Sequence, residues 1–110
     1  MSRLRSVLET GGFAVTGEVG PPKGVNTDGI AEAVEILGGR VVALNVTDLQ
    51  SAVMRVGSLA TCRLLLDRGV EPVLQLTCRD RNRLALQSEL LSAWVLGIEN
   101  VLCLTGDHIV

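Results

Sequence analysis

The chain has 110 residues, of which 47 % are hydrophobic and 20 % are charged, and its formal net charge is −2. This balance of high hydrophobicity and low net charge excludes an intrinsically disordered protein. No stretch reaches the ~20 apolar residues of a membrane span, the start does not resemble a secretory signal, and the acidic balance argues against nucleic acid as the main partner. The length suits one small domain, whereas a complete eight-stranded α/β barrel takes about 250 residues.

The cysteines and the histidine give little indication of special chemistry. Cys62, Cys78 and Cys103 lie in apolar stretches and form no CxxC pair. This pattern predicts buried, reduced thiols in a cytoplasmic protein. His108 is the single histidine and has no partners at metal-ligand spacing, so we predict no metal site.

The first half of the chain reads as alternating helices and strands. In chain order we predict a helix over 3–9, a strand over 13–18, a helix over 29–37 and a strand over 40–46. Thr27 or Asp28 is placed to cap the second helix, and a glycine pair follows each helix. Two prolines and two glycines make the segment VGPPKGVN a loop.

The second half continues the same alternation. We predict a helix from about 50 to 68, a strand over 73–77, a helix over 83–96 and a strand over 100–105. Asp80 or Asn82 is placed to cap the last helix, and Gly69 and Gly97 end the two helices. Strands that alternate with helices of this length indicate parallel pairing through right-handed crossovers.

The sequence therefore predicts a single α/β domain over 1–110, with three βα repeats and a fourth parallel strand. Ligand sites in such architectures collect at the carboxyl ends of the strands. Each predicted strand ends in polar residues, which predicts a functional rim. These residues are Glu18, Asn45, Thr47, Asp48, Gln75, Thr77, Thr105 and Asp107.

Three segments, at the ends of the first, third and fourth predicted strands, carry a resemblance to a known family. They are TGEVGPPKG, LQLTCRDRN and LTGD, in that order. Together they resemble the methylenetetrahydrofolate reductase family, and the resemblance runs from about residue 13 to residue 107. It implies the amino-terminal half of a (βα)8 TIM barrel. It also implies a flavoprotein oxidoreductase of one-carbon metabolism and methionine biosynthesis, which reduces 5,10-methylenetetrahydrofolate to 5-methyltetrahydrofolate.

The resemblance implies roles for individual residues. Glu18 matches the acid that donates a proton to the folate, and Asp107 matches a carboxylate beside the flavin that favours the cationic folate intermediate. From the residues alone, Glu18 could also be a solvated loop acid or a helix cap, and Thr47 and Asp48 a strand residue and a cap. The implied FAD-binding residues are Thr47, Asp48, Gln50, Gln75, Thr77, Thr105, Gly106 and Asp107.

The sequence departs from the family's common pattern at two of these positions. Gln75 stands where many relatives have histidine, and Thr105 where many have arginine. Nearby, Arg79, Arg81 and Arg83 could bind a phosphate or a carboxylate, or could form a solvated or ion-paired cluster. The electron donor would be NAD(P)H or a protein with its own redox centre, and the folate is the substrate.

Four strands cannot close a barrel, so the first and fourth would be open edges. We therefore expect the chain to be the amino-terminal fragment of a longer, oligomeric enzyme, and the isolated piece to self-associate and to be inactive. Apolar residues facing the barrel interior would be left exposed: Val15, Val42, Leu44 and Leu104. Two alternatives remain, a non-catalytic half-barrel that acts as a binding or assembly module, and a flavin-free pterin-binding methyl-transfer barrel.

Overall fold

Strands and helices alternate between Arg3 and Leu104 in the structure, a computed structural model that describes residues 2–108. The elements are α1 (Arg3–Glu9), β1 (Thr16–Val19), α2 (Asp28–Leu37), β2 (Ala43–Val46), α3 (Ser58–Asp67), β3 (Pro72–Thr77), α4 (Arg83–Val95) and β4 (Val101–Leu104), with a single 3₁₀ turn at Gln50–Ala52. Every predicted strand and helix is present. β1 and β2 each begin three residues later than predicted, β4 begins one residue later, and β3 begins one residue earlier.

The four strands form one sheet in the order β1-β2-β3-β4, and all three neighbouring pairs are parallel. This confirms the predicted architecture, half of an eight-stranded α/β barrel. β3 is almost wholly buried, whereas every residue of β4 is exposed. The two edges are β1 and β4, as predicted.

The hydrophobic core lies between the sheet and the helices. Leu44, Val46 and Leu74 project from the central strands and pack with residues of α2 and α3. At β1, a β-carbon on Gly17 would lie 2.8 Å from Cδ2 of Leu44 on the neighbouring strand and 3.2 Å from Cδ1 of Leu37 on α2. Glycine at this position therefore allows α2 to pack tightly against the edge strand.

The opposite face of the sheet is the open barrel interior. The prediction that Leu44 lies on this face is wrong. Leu44 is fully buried in the core, whereas Val15 is 52 % exposed and Leu104 is 39 % exposed. Leu104 lies on the open face, in register with Thr77, as predicted. Residues 41–44 are all apolar, so hydrophobicity could not show on which face of the sheet Leu44 lies.

The predicted helix over 50–68 is also wrong in its first half. Residues 50–52 form the 3₁₀ turn, and the α-helix begins only at Ser58. Leu49, Ser51 and Ala52 all have positive φ angles, of 49°, 62° and 56°. Such values are uncommon for residues with side chains, so the surrounding structure must hold this loop in place.

Glu71 holds α1 against the amino-terminal edge of the sheet. Its carboxylate accepts hydrogen bonds from the backbone N–H groups of Arg3 (2.7 Å) and Leu4 (3.0 Å) and from the hydroxyl of Ser2 (2.7 Å). The Asn100 side chain donates to the same carboxylate at 3.1 Å. The first helix is thereby fixed to the starts of β3 and β4.

The outer surface of α4 is exposed and apolar. Leu84, Leu91, Trp94 and Val95 lie on one stripe of the helix, and Trp94 and Val95 are 80 % and 81 % exposed. Only Ala93 of this helix is buried. The end of the sheet formed by β4 and α4 is therefore much less covered than the middle.

The cysteine prediction is correct for one residue of three. Cys62 is buried in the core, and burial raises the pKa of its thiol to about 12. Cys78 and Cys103 are exposed, because one follows the end of β3 and the other lies on the uncovered edge strand. Within residues 2–108, none of the helices is both long enough and apolar enough to cross a bilayer.

Candidate functional site

A cavity of about 200 Å³ opens at the carboxyl ends of the four strands. Every strand contributes to it, either directly or through the segment that follows it. Its lining consists of Glu18, Thr47, Asp48, Gln50, Gln75, Thr77, Leu104, Gly106 and Asp107. Apart from Leu104, each of these residues was singled out from the sequence as a candidate site residue.

The structure thus brings Glu18 and Asp107 to the same concave face, although they come from opposite edges of the sheet. Glu18 is an exposed residue of β1 and caps no helix. Thr105 is not part of the cavity lining. Asn45 lies further toward the amino ends, where its side-chain amide donates to the hydroxyl of Thr16 at 3.1 Å.

Asp48 joins the ends of β2 and β3. Its fully buried carboxylate accepts hydrogen bonds through Oδ2 from the backbone N–H of Thr77 (2.9 Å) and from the Thr77 hydroxyl (3.0 Å). Both carboxylate oxygens also accept from the guanidinium of Arg81, at 2.5 and 3.1 Å. Burial by itself raises the pKa of Asp48, but the hydrogen bonds from Arg81 and Thr77 outweigh it and lower the pKa. Asp48 is therefore an ionised carboxylate at neutral pH.

Thr47 and Gly106 provide two features that suit a bound ligand. Thr47 is buried, and in the part of the chain that the structure describes its hydroxyl has no hydrogen-bond partner. Buried polar groups are normally paired, so this hydroxyl is available to a ligand. Gly106 has a φ of +91°, and a β-carbon there would lie 3.1 Å from Cβ of Arg79 and 3.3 Å from Cβ of Thr77. Glycine is needed for both the angle and the space.

The loop with positive φ angles is tied to the segment after β4. The carboxylate of Asp107 accepts a hydrogen bond from the backbone N–H of Ser51 at 2.6 Å. The Arg79 guanidinium donates to the carbonyl oxygens of Leu49 (3.2 Å) and Asp107 (2.9 Å). These bonds hold the ends of β2, β3 and β4 in one arrangement, and the sequence offered no signal for them.

The arginine cluster is ion-paired, which was one of the two predicted alternatives. Arg81 pairs with Asp48, and Arg79 pairs with Asp80 at 2.7 Å. Arg83 lies exposed in the first turn of α4, which is capped by Asn82, whose side chain accepts from the backbone N–H of Ala85. Two of the three guanidinium groups thus connect loops of the site.

The segment after Glu18 has its own support, which sequence reasoning missed. The Arg55 guanidinium donates to the carbonyl oxygen of Pro21 at 3.3 Å, and the backbone N–H of Val56 donates to that of Pro22 at 2.9 Å. The stretch between the 3₁₀ turn and α3 therefore packs against the Pro-Pro loop. This contact fixes the direction in which the chain leaves β1 beside Glu18.

Comparison with known proteins agrees with this arrangement. The family model described as methylenetetrahydrofolate reductase matches residues 3–110. The chain belongs to the methylenetetrahydrofolate reductase family. A comparison with curated proteins gave no match, so the assignment rests on the family model. The family is one of oxidoreductases built on a TIM barrel, and the four parallel strands here form half of such a barrel.

Membership of the reductase family explains why polar residues gather at one edge of the sheet. In a reductase barrel the carboxyl ends of the strands surround the ligand site. Acidic, amide and hydroxyl side chains are all present here: Glu18 and Asp107 on the two flanks, Gln75 and Thr77 in the middle. The arrangement can donate hydrogen bonds, accept them and place negative charge near a ligand.

Proposed function

We propose that this chain forms the amino-terminal half of a flavin-dependent methylenetetrahydrofolate reductase, which reduces 5,10-methylenetetrahydrofolate to 5-methyltetrahydrofolate. The observation that carries the proposal is the cavity, where eight candidate residues from four strand ends meet. Membership of the reductase family supports the reaction class. The electron donor in this proposal is NAD(P)H or a partner protein with a redox centre.

The lining of the cavity fits a flavin. Thr47 offers a buried hydroxyl that lacks a partner among the described residues, and Gln75 offers an amide that can donate and accept. Gly106 leaves open the space that a side chain would fill. When bound, FAD would accept two electrons from the donor and pass them to the folate as hydride. We assign its binding to Thr47, Gln50, Gln75, Thr77, Gly106 and Asp107.

Glu18 and Asp107 carry the acid–base and electrostatic parts of this proposal. Glu18 would deliver a proton to the bridging nitrogen of the folate, which breaks the ring of the methylene bridge and leaves a cationic iminium. Asp107 would stabilise that cation, because a carboxylate lowers the energy of positive charge nearby. Their placement on opposite flanks of one cavity supports a substrate held between them.

The exposed edge of the sheet supports the idea that further strands complete the barrel. β4 is exposed along its length, and the apolar stripe of α4 has no cover within residues 2–108. A fifth strand and its helix would cover both. The same surface could serve a half-barrel that only binds or assembles, and this is the second candidate function. We place the enzyme in the cytoplasm and expect it to be an oligomer.

The test uses the full-length gene product. We expect it to purify with the visible absorbance of bound flavin and to reduce methylenetetrahydrofolate. Glu18→Gln should keep flavin bound and reducible by the donor, while folate reduction falls ~10²–10⁴-fold, because an amide cannot deliver the proton. Glu32→Gln, an exposed change on α2, is the matched control.

Three outcomes would decide between the candidates. Absence of flavin and of folate reduction in the full-length product would favour the assembly module. Methyl transfer from the folate without flavin would favour a pterin-binding methyltransferase. Folate reduction by Glu18→Gln at the wild-type rate would make Glu18 a structural residue.

A further inference from the structure

The neighbours of the Thr77 hydroxyl decide to which group it donates its proton and with which groups it accepts a hydrogen bond. A threonine hydroxyl has one proton to donate and two lone pairs to accept. Asp48 is an ionised carboxylate with no proton to give, so at 3.0 Å the Thr77 hydroxyl must donate to it. Nη1 of Arg81 lies 3.4 Å from the hydroxyl oxygen of Thr77, but its two N–H groups have closer acceptors in Asp48 and in the Thr77 carbonyl oxygen. The Thr77 hydroxyl oxygen therefore keeps a lone pair with which it can accept a hydrogen bond, and Thr77 lines the cavity.

Arg81 fixes this arrangement from two sides. Its Nη1 donates to the carbonyl oxygen of Thr77 at 2.9 Å as well as to Asp48, and its Nη2 donates to the other oxygen of Asp48. The Asp48 side chain is fully buried and that of Arg81 is 15 % exposed. A bidentate, desolvated pair of this kind holds one geometry, because an alternative would leave a buried charge unpaired.

We propose that Asp48 and Arg81 are positioning residues that make Thr77 an obligatory hydrogen-bond acceptor toward the cavity. A ligand group that faces Thr77 must therefore be a donor. The inference rests on the proposed function, since the ligand is then a flavin, and the oxidised flavin ring carries a single N–H, at N3. A flavin whose ring faces Thr77 would therefore present this N–H to it, and a ring that lacks the N–H would bind less tightly.

Thr47 differs from Thr77 in this respect. Its hydroxyl has no partner among the described residues, so it can rotate to donate or to accept. Two threonines at neighbouring strand ends thus offer different chemistry to the ring. The difference arises from Asp48, which follows Thr47 in the chain but bonds to Thr77.

The test compares the binding of FAD with that of N3-methyl-FAD to the full-length gene product, by titration of the flavin absorbance. We expect wild-type protein to prefer FAD, and Thr77→Val to lower this preference about tenfold, because a methyl group cannot accept a hydrogen bond. Asp48→Asn should lower the preference for FAD as well, since the Thr77 hydroxyl is then free to rotate and to donate toward the cavity. Thr77→Ser should keep it.

Asp67→Asn is the matched control, because it removes a carboxylate from an exposed ion pair with Arg63 on α3. A purely structural role of Asp48 would weaken the binding of both flavins equally and leave their ratio unchanged. If Thr77→Val and Asp48→Asn both leave the ratio of the two affinities unchanged, the inference is overturned but the proposed function is not. If Asp48→Asn does not fold, Thr77→Val alone decides. A wild-type product that binds neither flavin overturns both.

Discussion

Asp107 and Ser51 are joined by a hydrogen bond of 2.6 Å, from the backbone N–H of Ser51 to the carboxylate of Asp107. The bond connects the segment after β4 with the loop after β2, across the intervening β3. Asp107 therefore does two things at the cavity: it provides negative charge, and it anchors a loop whose φ angles are unfavourable. The two contributions can be separated by mutation.

Asp107→Ala should release the loop, and Asp107→Asn should not, because the amide oxygen can still accept from Ser51. We expect the amide hydrogen of Ser51 to exchange roughly 5- to 10-fold faster in the alanine variant, which corresponds to a hydrogen bond worth about 1 kcal/mol. In the full-length product, Asp107→Asn should lower folate reduction by roughly 10- to 100-fold through the lost charge. Equal exchange in the alanine and wild-type proteins would contradict the anchoring role.

Gly106→Ala should destabilise the protein by roughly 1–3 kcal/mol, measured by urea unfolding. The φ angle of +91° strains any residue with a side chain, and the new methyl group would press on Arg79 and Thr77. Gly29→Ala is the control, since nothing lies within 4 Å of its position in α2 and alanine favours the helix. We expect this control to be neutral or slightly stabilising.

Glu71→Gln should make stability less dependent on pH. Burial raises the pKa of Glu71, but hydrogen bonds from Ser2 and from the backbone of Leu4 and Arg3 outweigh it and hold the pKa below its usual 4.5. A carboxyl whose pKa is lower in the folded state stabilises the fold above 4.5, and this contribution is lost as the pH falls through the folded pKa.

The variant should therefore unfold at a lower urea concentration than wild type at neutral pH. The difference between the two unfolding midpoints should become smaller below pH 4.5. Glu32→Gln on α2 serves as the control for the loss of one negative charge. If the difference between the two unfolding midpoints is the same from neutral to acidic pH, Glu71 stabilises α1 without any change in its ionisation.

The 110-residue chain by itself should self-associate at micromolar concentration. Leu91, Trp94 and Val95 expose a continuous apolar stripe on α4, and each Å² left unburied costs about 25 cal/mol. Trp94→Gln with Leu91→Gln should shift the chain toward monomer in analytical ultracentrifugation. Val25→Gln, which changes an even more exposed apolar residue in a loop, should not. A monomeric wild-type chain would contradict this prediction.

Much of the fold could be predicted because the relevant signals are local. Glycines and prolines mark the element ends, Asn82 precedes α4 at a capping position, and the alternation of strands and helices implies parallel pairing. The rim at the strand ends followed from that topology, since parallel strands all end on one edge. The residues at those ends could be named before their contacts were known.

The tertiary structure alone decided three things. It set the face on which Leu44 lies, because apolar residues occur on both sides of β2 and a one-residue shift exchanges the faces. It replaced a predicted helical turn by a left-handed loop, which Asp107 and Arg79 hold from more than 25 residues away. It paired Asp48 with Arg81, 33 residues apart. Local periodicity reports which residues are apolar and how far apart they stand, whereas these features depend on charges and hydrogen bonds that meet only when the chain is folded.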